Sequence, residues 1–124
     1  MEHVSDTLAG KSGIVLQGNR IEADLIADVL KFRGCASNVF VYHHGGDALK
    51  QLDRMDTLDF VILNSASTSL IPAFCEKFPQ LVVILVTAAD RDSIPQNLCI
   101  RKVIQKPFNI ETLCSEIAGA LKPH

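Results

Sequence analysis

Hydrophobic and polar positions along this chain follow two alternating rhythms. Short apolar runs at 13–16, 38–42, 58–64, 80–87 and 100–105 have strand length, and the segments between them return apolar residues every three or four positions. The first helical segment has Asn19 as N-cap and Glu22 three residues later, then Ile21, Leu25, Ile26, Val29, Leu30 and Phe32 at helical spacing. Gly34 stops it in the C′ position. After the turn His43-His44-Gly45-Gly46 comes a helix over 47–55. A third helix takes Pro72 in its first turn, has Ala73, Phe74 and Phe78 on its inner face, and ends at Pro79. The segment 88–99 is crowded by Asp90, Asp92, Ser93 and Pro95, leaving room for little more than one or two helical turns. Asn109 caps a last helix carrying Ile110, Leu113, Ile117 and Leu121.

Strands that alternate with helices imply a parallel sheet covered on both faces, because parallel neighbours need crossover connections. The run 80–87 fits the middle of such a sheet, since it is apolar on both faces. Residues 1–11 are polar and aperiodic and read as a leader, which leaves 12–122 as one domain. In an open parallel sheet, ligands sit at the carboxyl ends of the strands. Gln17, Gly18, Asn64, Thr87 and Lys106 are the residues placed there.

Composition narrows the function classes. A chain of 124 residues fits a single domain, and 48% hydrophobic with 21% charged residues is ordinary for a globular protein. The net charge of −2 gives no electrostatic footprint for nucleic acid. No apolar run approaches the roughly 18 residues of a membrane span, and the start has no signal-like apolar region, so a cytoplasmic location is expected. Cys35, Cys75, Cys99 and Cys114 lack the paired spacing of zinc sites and read as reduced core thiols. His43 and His44 are adjacent, point to opposite sides of extended backbone and read as solvated turn residues, not metal ligands. Ser65, Ser67, Thr68 and Ser69 suit turn and N-cap duties. No phosphate-binding loop, dinucleotide fingerprint, nucleophile elbow or HExxH occurs, so no enzyme activity is expected.

Over about residues 12–122 the chain resembles a response-regulator receiver domain. The likeness rests on the β/α rhythm, on Val86-Thr87-Ala88, on Lys106-Pro107-Phe108, on Asp47-Ala48-Leu49, and on the spacing between them. It implies a flavodoxin-like three-layer α/β/α sandwich whose five parallel strands run in the order 2-1-3-4-5, with a short or degenerate fourth helix. In that family an acidic pair after strand one and an aspartate ending strand three hold Mg²⁺, and the aspartate accepts a phosphoryl group. A Thr or Ser and a Lys then contact the phosphoryl oxygens. Thr87 and Lys106 match these last two, whereas Gln17 and Gly18 stand at the acidic pair and Asn64 at the acceptor. The aromatic switch position on strand five is Val103.

An amide forms no acyl phosphate, and Mg²⁺ wants carboxylate oxygens, so neither phosphorylation nor a metal is expected. The resemblance therefore implies an atypical, degenerate receiver without the phosphoacceptor aspartate. Its expected role is a phosphorylation-independent protein–protein interaction module in two-component (phosphorelay) signal transduction, with no cofactor. A pocket that would hold three carboxylates and one lysine keeps only the lysine, and its formal charge changes sign. Lys106 then either bonds the Asn64 side-chain oxygen and nearby carbonyls, or forms a weak anion site with Thr87, Asn64 and backbone amides. The second arrangement would make the domain a small-anion or metabolite sensor. Expected partners are unidentified signalling proteins and a second copy, through the last helix with strand five or through the first helix.

Overall fold

The computed structural model describes residues 10–32, 38–88 and 99–121, apart from the side chains of Ile110 and Glu111. Residues 1–9 of the expected leader, Gly34, Cys35 and most of the expected fourth-helix segment lie outside the described residues. The strands are β1 (Ser12–Leu16), β2 (Asn38–Tyr42), β3 (Phe60–Leu63), β4 (Val82–Thr87) and β5 (Lys102–Gln105). The helices are α1 (Arg20–Phe32), α2 (Gly45–Arg54), α3 (Ile71–Lys77) and α4 (Ile110–Leu121), with a 3-10 helix at Ser65–Leu70 running directly into α3.

All strand pairs are parallel, and the order is β2-β1-β3-β4-β5, the flavodoxin-like arrangement. The period-two alternation of the strands splits the core into two layers. Val15, Phe60, Ile62, Ile84 and Val86 face α1 and α4, where they meet Ile26, Leu30, Leu113 and Ile117. Ile14, Leu16, Val61, Leu63, Val83 and Leu85 face α2 and α3 and meet Leu52 and Phe74. Every residue of β3 and β4 is buried, as central parallel strands require. At the opposite end of the sheet from the strand carboxyl termini, the Ser12 N–H donates to Asp59 Oδ2 at 2.8 Å and the Asp59 N–H to the Ser12 carbonyl at 2.9 Å, which fixes the β1–β3 register. Gly13 is required beside them, because a Cβ there would lie 2.0 Å from the Phe60 ring.

Several sequence expectations are corrected. Within α1 the buried face is Ala23, Ile26, Ala27, Val29 and Leu30, while Ile21 and Phe32 point into solvent. Two alanines supply core contacts that a count of large apolar residues overlooks. The polar stretch after β3 is helical, and Thr68 Oγ1 donates back to the Ser65 carbonyl at 3.2 Å instead of capping. His43 is half-buried and bonded to Gln17, so only His44 is an exposed turn residue. Cys114 is a core thiol whose Sγ donates to the Val29 carbonyl at 3.3 Å, but Cys99 is exposed where the chain enters the edge strand β5. Burial and the neighbouring Cys99 thiol push the half-buried Cys75 thiol up from its ordinary pKa. Among the described residues no helix is long and apolar enough to cross a membrane.

Candidate functional site

The carboxyl edge of the sheet collects the residues that the sequence placed there. Leu16 pairs with Leu63 across β1 and β3, so the next residues, Gln17 and Asn64, leave the sheet at the same level. Gln17 is 1% exposed; its N–H donates to the Tyr42 carbonyl at 3.1 Å, and its carbonyl accepts from His43 Nδ1 at 3.0 Å. Thr87 ends β4 and is 2% exposed. Its carbonyl accepts the Lys106 N–H at 2.8 Å, which sets the start of the Lys106 side chain next to β4. The Lys106–Pro107 peptide is cis. A Cβ built on Gly18 would have the Asn64 amide nitrogen as its nearest neighbour, at 4.0 Å, so positions 18 and 64 share one small space. Val103 pairs with Leu85 and packs half-buried against the α2/α3 core layer.

A residue outside that set completes the site. Glu22 Oε1 lies 2.8 Å from Lys106 Nζ, with the two side chains 16% and 30% exposed respectively. The contact is one of charge proximity, off the angles of an aligned hydrogen bond, and Oε1 is itself buried. Local chain geometry explains how it gets there. Asn19 Oδ1 accepts the Glu22 N–H at 3.0 Å and the Asn19 carbonyl accepts the Ala23 N–H at 2.9 Å, so α1 begins right after β1 and its first turn stands at the carboxyl edge. Only the forward half of the expected capping box is made, because Glu22 Oε1 turns to Lys106. A carboxylate in a first helical turn is also favoured by the helix dipole.

Two expectations about Lys106 change accordingly. It does not bond the Asn64 side-chain oxygen, which is buried without a hydrogen-bond partner among the described residues, and it is not a free cation. The pocket is formally neutral because Glu22 restores one negative charge. Sequence reasoning used Glu22 only as a capping residue; the available signal was that a first-turn carboxylate on a helix leaving β1 starts at the same sheet edge as Lys106. Gln17 Nε2, like Asn64 Oδ1, is buried and unbonded, so the site holds an amide donor and an amide acceptor with no internal use.

This donor set does not fit a divalent cation. Gln17 and Asn64 carry neutral amides, Gly18 has no side chain, and the one carboxylate is held on Lys106. Among the described residues no cluster of three His, Cys, Asp or Glu side chains is close enough to hold a metal ion.

No family model matches the chain, and no curated protein matches it. Solved structures do. The chain is similar to a response regulator from Thermotoga maritima, with a TM-score of 0.77 and 24% identity over 90% of this chain and 98% of that one. It is similar to the BeF3-activated DrrB receiver domain, with a TM-score of 0.77 and 20% identity over 92% of this chain and 99% of that one. The chemotaxis response regulator CheY4 of Vibrio cholerae gives a TM-score of 0.79 and 15% identity over 91% of this chain and 100% of that one. At these identities the likeness shows the fold, and that fold is the one of response-regulator receiver domains.

Proposed function

We propose that this chain is a degenerate receiver, a non-enzymatic interaction module of two-component signalling that works without aspartyl phosphorylation. The observation that carries this reading is the paired state of Lys106. In a receiver that accepts phosphate, the lysine at this edge meets phosphoryl oxygens; here Glu22 gives it an oxygen anion from within the chain, 2.8 Å away. The acceptor position holds Asn64, whose amide forms no acyl phosphate, and Gln17 with Gly18 offers no carboxylate for Mg²⁺. Val103 supplies no ring at the position where the family places its aromatic switch. Signal transfer then rests on surface contacts with other signalling proteins, in one standing conformation.

The alternative of a small-anion sensor would use Lys106, and Glu22 already holds that cation. Incubation with acetyl phosphate and Mg²⁺ followed by intact-mass measurement tests the proposal. The expected result is an unchanged mass; a gain of one phosphoryl group overturns it.

A further inference from the structure

Two unbridged thiols lie together on the α2/α3 side of the sheet, away from the strand-end pocket. Cys75 is half-buried on α3, Cys99 is exposed at the entry to β5, and the Cys75 thiol hydrogen-bonds the Cys99 sulfur. The fold explains how residues so distant in sequence meet. The Leu81 N–H donates to the Phe78 carbonyl at 3.0 Å, so the chain turns from the end of α3 directly towards β4, and Cys75 stands about one helical turn before that bend. β5 enters beside the same stretch, because the Arg101 N–H donates to the Val83 carbonyl at 2.8 Å. Ile100, next to Cys99, packs on the core layer that Cys75 and Phe78 also cover. Cys114 is no competitor, since it is buried in the opposite core layer with its Sγ on the Val29 carbonyl.

We propose that Cys75 and Cys99 form a reversible oxidation site, closed to an intrachain disulfide by a peroxide. Exposed Cys99 meets the oxidant first: it loses its proton to solvent, its sulfur attacks one peroxide oxygen, and the O–O bond breaks with hydroxide leaving, which gives a sulfenic acid. The Cys75 sulfur, after losing its own proton, attacks the Cys99 sulfur. An S–S bond forms, the S–O bond breaks, and a second hydroxide leaves. The two protons and two hydroxides make two waters, and the two electrons given up by the thiols reduce the peroxide. Burial and the Cys99 thiol keep Cys75 more fully protonated, so it reacts slowly with peroxide itself and acts as the resolving partner, with proximity offsetting its small thiolate fraction. β5 is the edge strand, paired only with β4, and the bridge would add a hold on it from α3. This chemistry does not depend on whether Asn64 accepts phosphate, and its test leaves Lys106 and Asn64 untouched.

Treating the reduced full chain with a few equivalents of hydrogen peroxide at about pH 8, then alkylating without reduction and mapping peptides, reads the bridge. The expected product is a monomer lighter by about 2 Da, with its Cys75 and Cys99 peptides joined until dithiothreitol is added. Cys75→Ser should instead leave on Cys99 a sulfenic acid that dimedone labels well above the wild-type level, and Cys99→Ser should leave Cys75 a free thiol. Circular dichroism confirms that each variant is folded. The proposal is overturned if the thiols stay free, if Cys99 passes to the sulfinic acid with no bridge, or if the disulfide joins two chains or uses Cys35 or Cys114. Equal dimedone labelling of C75S and wild type overturns it as well.

Discussion

Replacing Glu22 by Gln removes one charge from the sheet edge and almost no volume, so it reads the ion pair together with the smaller helix-dipole contribution of a first-turn carboxylate. At 2.8 Å the gross attraction is about 6 kcal/mol for an effective dielectric constant of about 20. The net value is much smaller, because water still reaches both side chains. Exposed pairs contribute roughly 0.2–1 kcal/mol, and breaking a fully buried pair costs roughly 3–5 kcal/mol. Exposures of 16% and 30% put this pair between those limits, at about 2 kcal/mol. For a chain of 124 residues the unfolding entropy is about 0.26 kcal/mol/K, so E22Q should melt about 8 °C below wild type. The variant also frees Lys106 beside Thr87 and the unbonded Gln17 amide. Phosphate at about ten times its Kd should return roughly 1.4 kcal/mol to E22Q. Melting curves in chloride and in phosphate, for both proteins, measure these quantities together. If E22Q melts with wild type, or if phosphate stabilises wild type as much as E22Q, then Lys106 is not held by Glu22 in solution and the closed-pocket account fails.

Other perturbations test the neighbouring claims. Asn64→Asp alone should leave acetyl phosphate with Mg²⁺ without effect on the mass, since no other carboxylate is available for the metal. Adding Gln17→Asp and Gly18→Asp should create a melting shift with millimolar Mg²⁺; position 18 has open space for the new side chain, while position 17 is buried and will lower basal stability. Gly13→Ala drives a methyl group into the Phe60 ring and should cost about 1–3 kcal/mol, read as a lower urea midpoint. A variant that unfolds at the wild-type midpoint would show that Phe60 can move aside freely. Burial and Cys99 both raise the Cys75 pKa, so less of Cys75 is thiolate at a given pH. Iodoacetamide near pH 8 should therefore alkylate exposed Cys99 before Cys75, and peptide mapping that found the reverse order would contradict that environment.

The alternation of apolar runs with helical spacing carried the architecture, because in a sheet covered on both faces each buried strand reads directly as an apolar segment. Once the strands were ordered, Gln17, Asn64, Thr87 and Lys106 had to converge, since each follows or ends a strand of the same parallel sheet. Local sequence also set the Asn19 cap. What the chain of letters did not contain was the pairing of Glu22 with Lys106, residues from α1 and from the end of β5 that are remote in sequence. That contact depends on where the first turn of α1 lands after β1 and on how far a flexible side chain reaches, and neither quantity has a periodic signature. The same limit hid the outer stripe of α1. Helical spacing grouped Ile21 and Phe32 with the core residues, but only packing shows that Ala23 and Ala27 fill the inner face and leave the two larger side chains in water. Sequence thus determined which side chains stand at the strand ends, and tertiary structure decided how Lys106 is neutralised and which side chains of α1 face solvent.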